Sequence, residues 1–193
     1  MQSNKFARII SYLFIPPLMN FFIFVFLALH LQLGQRFLSA AILISFLFGL
    51  AIPVIYFVIM RSRGKIDDND AQVKEQRTNP YLFGILLTLA AILLSAIFVS
   101  NKIITIAWIT YLVCSMILIL VNKYWKISAH AMGAAIPLGI MLFYSNLLSL
   151  GLVVILILVG WSRIKLKMHN LSQVLAGGFL GIIIPALLFV LFR

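Results

Sequence analysis

Acidic side chains are nearly missing from this chain: four Asp and Glu stand against fifteen Lys and Arg, and all four fall between positions 67 and 75. That leaves one acidic stretch and no second cluster to complete a two-cluster metal site. Cysteine is limited to Cys114, which excludes an intramolecular disulfide framework and a thiolate metal cluster. Charge of either sign is low, at 10% of residues against 64% hydrophobic. Soluble chains carry about 25% charged residues, so a soluble domain of this size could not cover its surface. The solvent implied is the bilayer.

What is abundant is apolar sequence in long runs. A hydrocarbon core about 30 Å thick takes roughly 20 apolar residues per helical span. Seven runs approach that length, at 9–30, 37–60, 80–100, 103–121, 129–144, 147–161 and 172–192. They predict an all-α integral membrane protein, a bundle of about seven transmembrane helices forming a single domain over 1–193. The links Asn101-Lys102 and Ser145-Asn146 are short and polar, so the helices they join pack as antiparallel neighbours. The first run is too long for a cleavable signal peptide and ends in Leu29-His30-Leu31-Gln32 instead of a small-residue site, so it reads as a span. Pro16-Pro17 either kinks that span or opens the true helix and leaves residues 5–14 lying along the interface.

The net charge of +11 does not read as nucleic-acid binding, because the cations are scattered over loop ends and not gathered on one soluble face. Anionic headgroups are the expected partners, with no nucleic acid. Alternating spans collect residues 1–8, 61–79, 122–128 and 162–171 on one face of the membrane, with twelve of the fifteen cations. The positive-inside rule puts that face in the cytoplasm, in a multi-pass protein expected in a bacterial inner membrane.

Two stretches on that face carry chemistry. In the first, Ser162-Arg163 is followed after five residues by His169, then by Gln173 four further on, with Gly177 inside the next helix. Arg163 offers a planar fork of donors matched to phosphate oxygens, and a neutral His169 offers a nitrogen that can attack phosphorus. A basic loop gripping headgroups would use the same residues without catalysis. In the second, Lys126-Ile127-Ser128-Ala129-His130 opens a helix, where backbone N–H groups and the helix dipole favour an anion. Taken alone, Ser128 also reads as an ordinary N-cap and His130 as a satisfied bundle histidine.

Together, and in this order, the stretches resemble the second and third signatures of the type 2 phosphatidic acid phosphatase family, over a motif-bearing core at about 61–192. The chain has Ile127 and Ala129 where the family has Pro and Gly, and Gln173 where it has Asp. The first signature, Lys-x6-Arg-Pro, is matched only loosely by Lys74, Arg77 and Pro80. The resemblance implies a six-helix phosphatase-like core and metal-independent hydrolysis of a lipid phosphate or polyprenyl diphosphate, with no cofactor. His169 would be the nucleophile, Gln173 its orienting partner and His130 the acid for the leaving oxygen. Arg163, Ser128, the N–H of Ala129, Lys74 and Arg77 would hold the phosphoryl oxygens. Family members commonly place this site outside the cytoplasm, against the cation count here.

Other readings use other residues. Asp67, Asp68 and Asp70 could hold magnesium on a diphosphate, as in a metal-dependent prenyl or phospho-alcohol transferase. A non-catalytic lipid binder or transporter would need the cations and not His169. Gly177 and Gly181 form a small-residue stripe suited to close helix packing, with Gly133 and Ala134 expected opposite.

Overall fold

A computed structural model describes residues 2–67, 73–144 and 146–192. Asp68 and Asp70 lie outside the described residues, as does the side chain of Lys74. Among the described residues the secondary structure is entirely helical. The helices are α1 (Gln2–Leu13), α2 (Pro16–His30), α3 (Gln35–Ile44), α4 (Ile52–Ser62), α5 (Thr78–Phe98), α6 (Lys102–Tyr124), α7 (Ala129–Met141), α8 (Asn146–Lys165) and α9 (Leu171–Phe192). A π-helical segment, Ser45–Ala51, joins α3 to α4, and a 3₁₀ turn, Lys74–Arg77, leads into α5.

Among the described residues five helical stretches are long and apolar enough to cross a membrane: Gln35–Ser62, Glu75–Phe98, Lys102–Tyr124, Leu147–Lys165 and Leu171–Phe192. A sixth would be the pair Asn4–Leu13 and Pro16–His30, bent by 47°. Large side chains such as Leu93, Ile97 and Val190 project outward from these helices. In water such a surface would aggregate; against acyl chains it is matched.

Pro16 and Pro17 occupy the first positions of α2, after an extended Ile15. Proline is tolerated there because the first helical N–H groups have no partner within the helix. The preceding residues therefore form a helix of their own, α1. It buries Ala7, Ile10 and Ser11 and packs along α8.

The π-helical segment has a similar local cause. Pro53 lacks the N–H that would bond the Gly49 carbonyl, and its ring would crowd that carbonyl. A widened turn absorbs the mismatch. Gly49 also presents no side chain to α2: a Cβ there would collide with Asn20 Oδ1. Behind it Phe24 stacks on Trp108 at 4.0 Å between ring centroids, a contact worth about 0.5–1.5 kcal/mol beyond the area it buries.

The 129–144 run, expected as a span of its own, is a helix of 13 residues. At about 1.5 Å per residue it is some 20 Å long, short of the hydrocarbon thickness. Every residue from Ala131 to Met141 is buried, with α2, α6, α8 and α9 around the helix.

Against α9, glycine brings the backbones together: a Cβ on Gly177 would lie 2.5 Å from the Ser128 carbonyl oxygen, and one on Gly181 would lie 2.6 Å from that of Met132. Here the expected pairing needs correction. Gly133 does not face the α9 stripe but packs on Pro16, and Ala134 sits with Ile10 and Val159. Ser128, Met132 and Ala135 are the residues opposite the stripe.

Candidate phosphate-binding site

The site begins where α8 stops. Two backbone bonds close that end: the Met168 N–H donates to the Arg163 carbonyl at 3.0 Å, and the Lys167 N–H donates to the Ile164 carbonyl at 2.9 Å. This is the pair of bonds that closes a helix in a Schellman motif, with the residue after the cap in the left-handed region. That residue is Lys167, at φ 57°. Glycine is the usual occupant, and a side chain there costs about 1–2 kcal/mol. The reversal turns the chain back so that His169 is buried beside the end of α8.

The next helix opens with a reciprocal cap. Asn170 Oδ1 accepts from the Gln173 N–H at 3.0 Å, and Gln173 Oε1 accepts from the Asn170 N–H at 3.2 Å. This is a capping box with Asn and Gln in its two places. It also determines which way the Gln173 amide points, because only its oxygen can accept from a backbone N–H. The same oxygen lies 3.1 Å from His169 Nδ1. A hydrogen bond between them requires the proton on Nδ1, so the lone pair is on Nε2.

Arg163 is fully buried, and its Nη1 donates to Ser11 Oγ at 2.6 Å. Arg77 is buried too, donating from Nη1 to the Ile127 carbonyl at 3.5 Å and bonding the Tyr81 phenol. Ser128 Oγ caps α7 by accepting from the Ala131 N–H at 3.3 Å, and the Ser128 N–H donates to the Gln173 carbonyl at 3.2 Å. Ala129 is the first residue of α7, so its N–H belongs to the turn that the helix itself leaves unbonded.

The charges converge. His130 lies within the electrostatic reach of Arg163, His169 and Arg77. His169 feels burial most, then Arg77 and Arg163, and these push its imidazole down to about 3 from the ordinary 6.5; the hydrogen bond to Gln173 acts the other way. A histidine held neutral beside two buried guanidinium groups suits an anion arriving between them.

His169, Gln173, His130, Arg163, Ser128, Ala129 and Arg77 are thus gathered at one end of the bundle. Lys74 shares the 3₁₀ turn with Arg77. Asp67 is engaged elsewhere, its carboxylate accepting from Gln76 Nε2 at 2.8 Å. Among the described residues no group of three or more His, Cys, Asp or Glu gathers to hold a metal.

Three participants were not anticipated. Ser11 sits 152 positions before Arg163, and a lone serine on an amphipathic helix gives no signal. Tyr81 reads from sequence as one more aromatic at a span end. Asn170 was readable, since Asn-x-x-Gln before an apolar run is a cap signature. Comparisons with protein-family models, with curated proteins and with solved structures find no match to this chain.

Proposed function

We propose that this chain is a divergent lipid phosphate phosphatase of the type 2 phosphatidic acid phosphatase superfamily, hydrolysing a phosphomonoester or diphosphate of an amphiphilic substrate. In this reading about seven helices cross or enter the membrane, α7 being the short one, and the site faces the cytoplasm. The observation that carries it is the contact of His169 Nδ1 with Gln173 Oε1 at 3.1 Å: with that oxygen as acceptor, Nε2 keeps its lone pair and is the nitrogen that attacks phosphorus.

The chemistry balances with this chain's own residues. Nε2 of His169 attacks phosphorus, and the bond from phosphorus to the lipid oxygen breaks. His130, charged once the bound phosphate dianion offsets the neighbouring guanidinium groups, gives that oxygen a proton, releasing the lipid alcohol or monophosphate. Water then attacks the phosphohistidine, losing its proton to His130, and inorganic phosphate leaves. Arg163 and Arg77 offset the charge on the phosphoryl oxygens, together with the N–H groups at the start of α7, and such stabilisation is the main source of phosphoryl-transfer catalysis.

The test is phosphate release by purified protein in excess chelator, across phosphatidic acid, phosphatidylglycerol phosphate, a phosphorylated sphingoid lipid and a polyprenyl diphosphate. Release from at least one, abolished in His169→Ala, is expected. Release that disappears with the chelator and returns with magnesium would overturn the metal-independent reading.

A further inference from the structure

The phosphatase reading does not use α1 beyond Ser11, yet α1 carries a second concentration of charge. A cleft of about 500 Å³ runs between α1 and the end of α8, lined by Asn4, Lys5, Arg8, Ile9, Lys165 and Lys167 among others. Four cations meet there, and among the described residues none that lines it is acidic. The residues around it are apolar and outward-facing: Phe6, Ile9, Tyr12 and Leu13 on α1, and Trp161 on α8, whose ring meets that of Phe6 at 5.9 Å between centroids.

Cations packed beside exposed Phe, Ile, Leu, Tyr and Trp describe a surface at the boundary between headgroups and acyl chains. A soluble anion would need the charges and not the apolar flank. Lys167 adds an independent sign. It occupies the left-handed position of the α8 cap, where glycine would be unstrained, and its side chain reaches the cleft.

The geometry points to a binding site for the phosphodiester headgroup of an anionic bilayer phospholipid in the α1–α8 cleft, held by Lys5, Arg8, Lys165 and Lys167. The acyl chains of the bound lipid run down the flank made by Phe6, Ile9 and Trp161. The site is separate from the one that holds the transferring phosphoryl group, and binding there needs no hydrolysis.

The experiment uses the full chain carrying His169→Ala, so that no headgroup is cleaved. It is reconstituted in nanodiscs of equimolar phosphatidylglycerol and phosphatidylcholine, released into detergent, and the lipid it retains is measured by native mass spectrometry. Phosphatidylglycerol retained in preference to phosphatidylcholine is expected, with about a fivefold loss for each cation removed in Lys5→Gln, Lys165→Gln and Lys167→Gly. Lys167→Gly separates binding from folding: lipid-free protein should melt no lower than the parent while its lipid retention falls. Equal retention of the two lipids would overturn the proposal, as would variants that hold phosphatidylglycerol like the parent. Glycerophosphoglycerol, the same phosphodiester without acyl chains, bound as tightly as the intact lipid would also overturn it, since the site would then be one for free anions.

Discussion

The Ser128 N–H donates to the Gln173 carbonyl at 3.2 Å, tying the start of α7 to the first turn of α9. One bond thus sets the two signature stretches against each other, and the spacing of the site depends on how closely these helices approach. Gly177 is what permits that approach, since its missing Cβ would sit 2.5 Å from the Ser128 carbonyl oxygen.

Gly177→Ala should therefore both destabilise the protein and disorder the site. The nearest obstruction is backbone, which cannot rotate away, so a cost of about 1–3 kcal/mol is expected from overpacking. Thermal unfolding in detergent measures the first effect and phosphate release the second. Gly151, whose Cβ would meet nothing within 4 Å, is the control: Gly151→Ala should change neither.

Gln173 joins two roles that can be separated. Gln173→Ala removes the acceptor of His169 Nδ1 and half of the capping box, and should lose most activity along with about 1 kcal/mol of stability. Gln173→Glu keeps the length of the side chain and both acceptances, and adds the charge that Gln lacks. One pKa unit corresponds to about 1.4 kcal/mol, and a carboxylate beside the imidazolium-like state should raise the rate. Gln173→Asp supplies the charge on a shorter arm, so it should keep or raise activity while weakening the cap. A robust rate in Gln173→Ala that still required His169 would remove Gln173 from the orienting role.

Ser11→Ala tests whether α1 belongs to the site. The change deletes the hydroxyl that accepts from Arg163 Nη1 at 2.6 Å; hydrogen bonds to charged groups contribute about 1.5–3 kcal/mol. Weaker substrate binding is expected, seen as a higher KM with a smaller change in kcat, because Arg163 keeps its charge but loses a restraint. Unchanged kinetics would leave α1 a cover only.

His169 makes a pH prediction with a definite sign. Folded protein holds the imidazole at about 3 through burial, Arg77 and Arg163, against an ordinary value of 6.5. Between those values the unfolded chain binds a proton that the folded chain does not, so this group makes stability fall as pH falls from 6.5 toward 3 and leaves it constant above. Arg77→Met removes the second of these causes and should raise the imidazole toward its ordinary value. Histidine carbon resonances followed across that range report it directly. Ordinary titration of His169 in the parent protein would contradict the buried, neutral imidazole.

Much of this arrangement was legible because it is local. His169 and Gln173 are four apart, and a helix opening between them brings the two side chains together whatever the rest of the chain does. The apolar runs likewise announced the membrane. What hydropathy could not separate was burial in lipid from burial in protein: the 129–144 run is apolar on all sides, yet its helix ends at Met141 and is enclosed by its neighbours. The rotation of a helix about its axis is equally hidden when every face is apolar. That is why the Gly177–Gly181 stripe was visible while its partners, Ser128, Met132 and Ala135, were not. The Ser11–Arg163 bond depends on how α1 docks on α8, and nothing in either segment encodes the other.

Attack on phosphorus by His169 is the central claim, and trapping the covalent intermediate tests it most directly. Purified protein is mixed with phosphatidic acid, or another hydrolysed lipid of the panel, carrying a radiolabelled phosphate, and is quenched with alkali within a turnover in excess chelator. Acid-labile label is expected on a single peptide containing His169, absent in His169→Ala and accumulating further in His130→Ala given a substrate whose leaving group needs no proton. Turnover in which His169→Ala releases phosphate at the parent rate, with no label on that peptide, would contradict it.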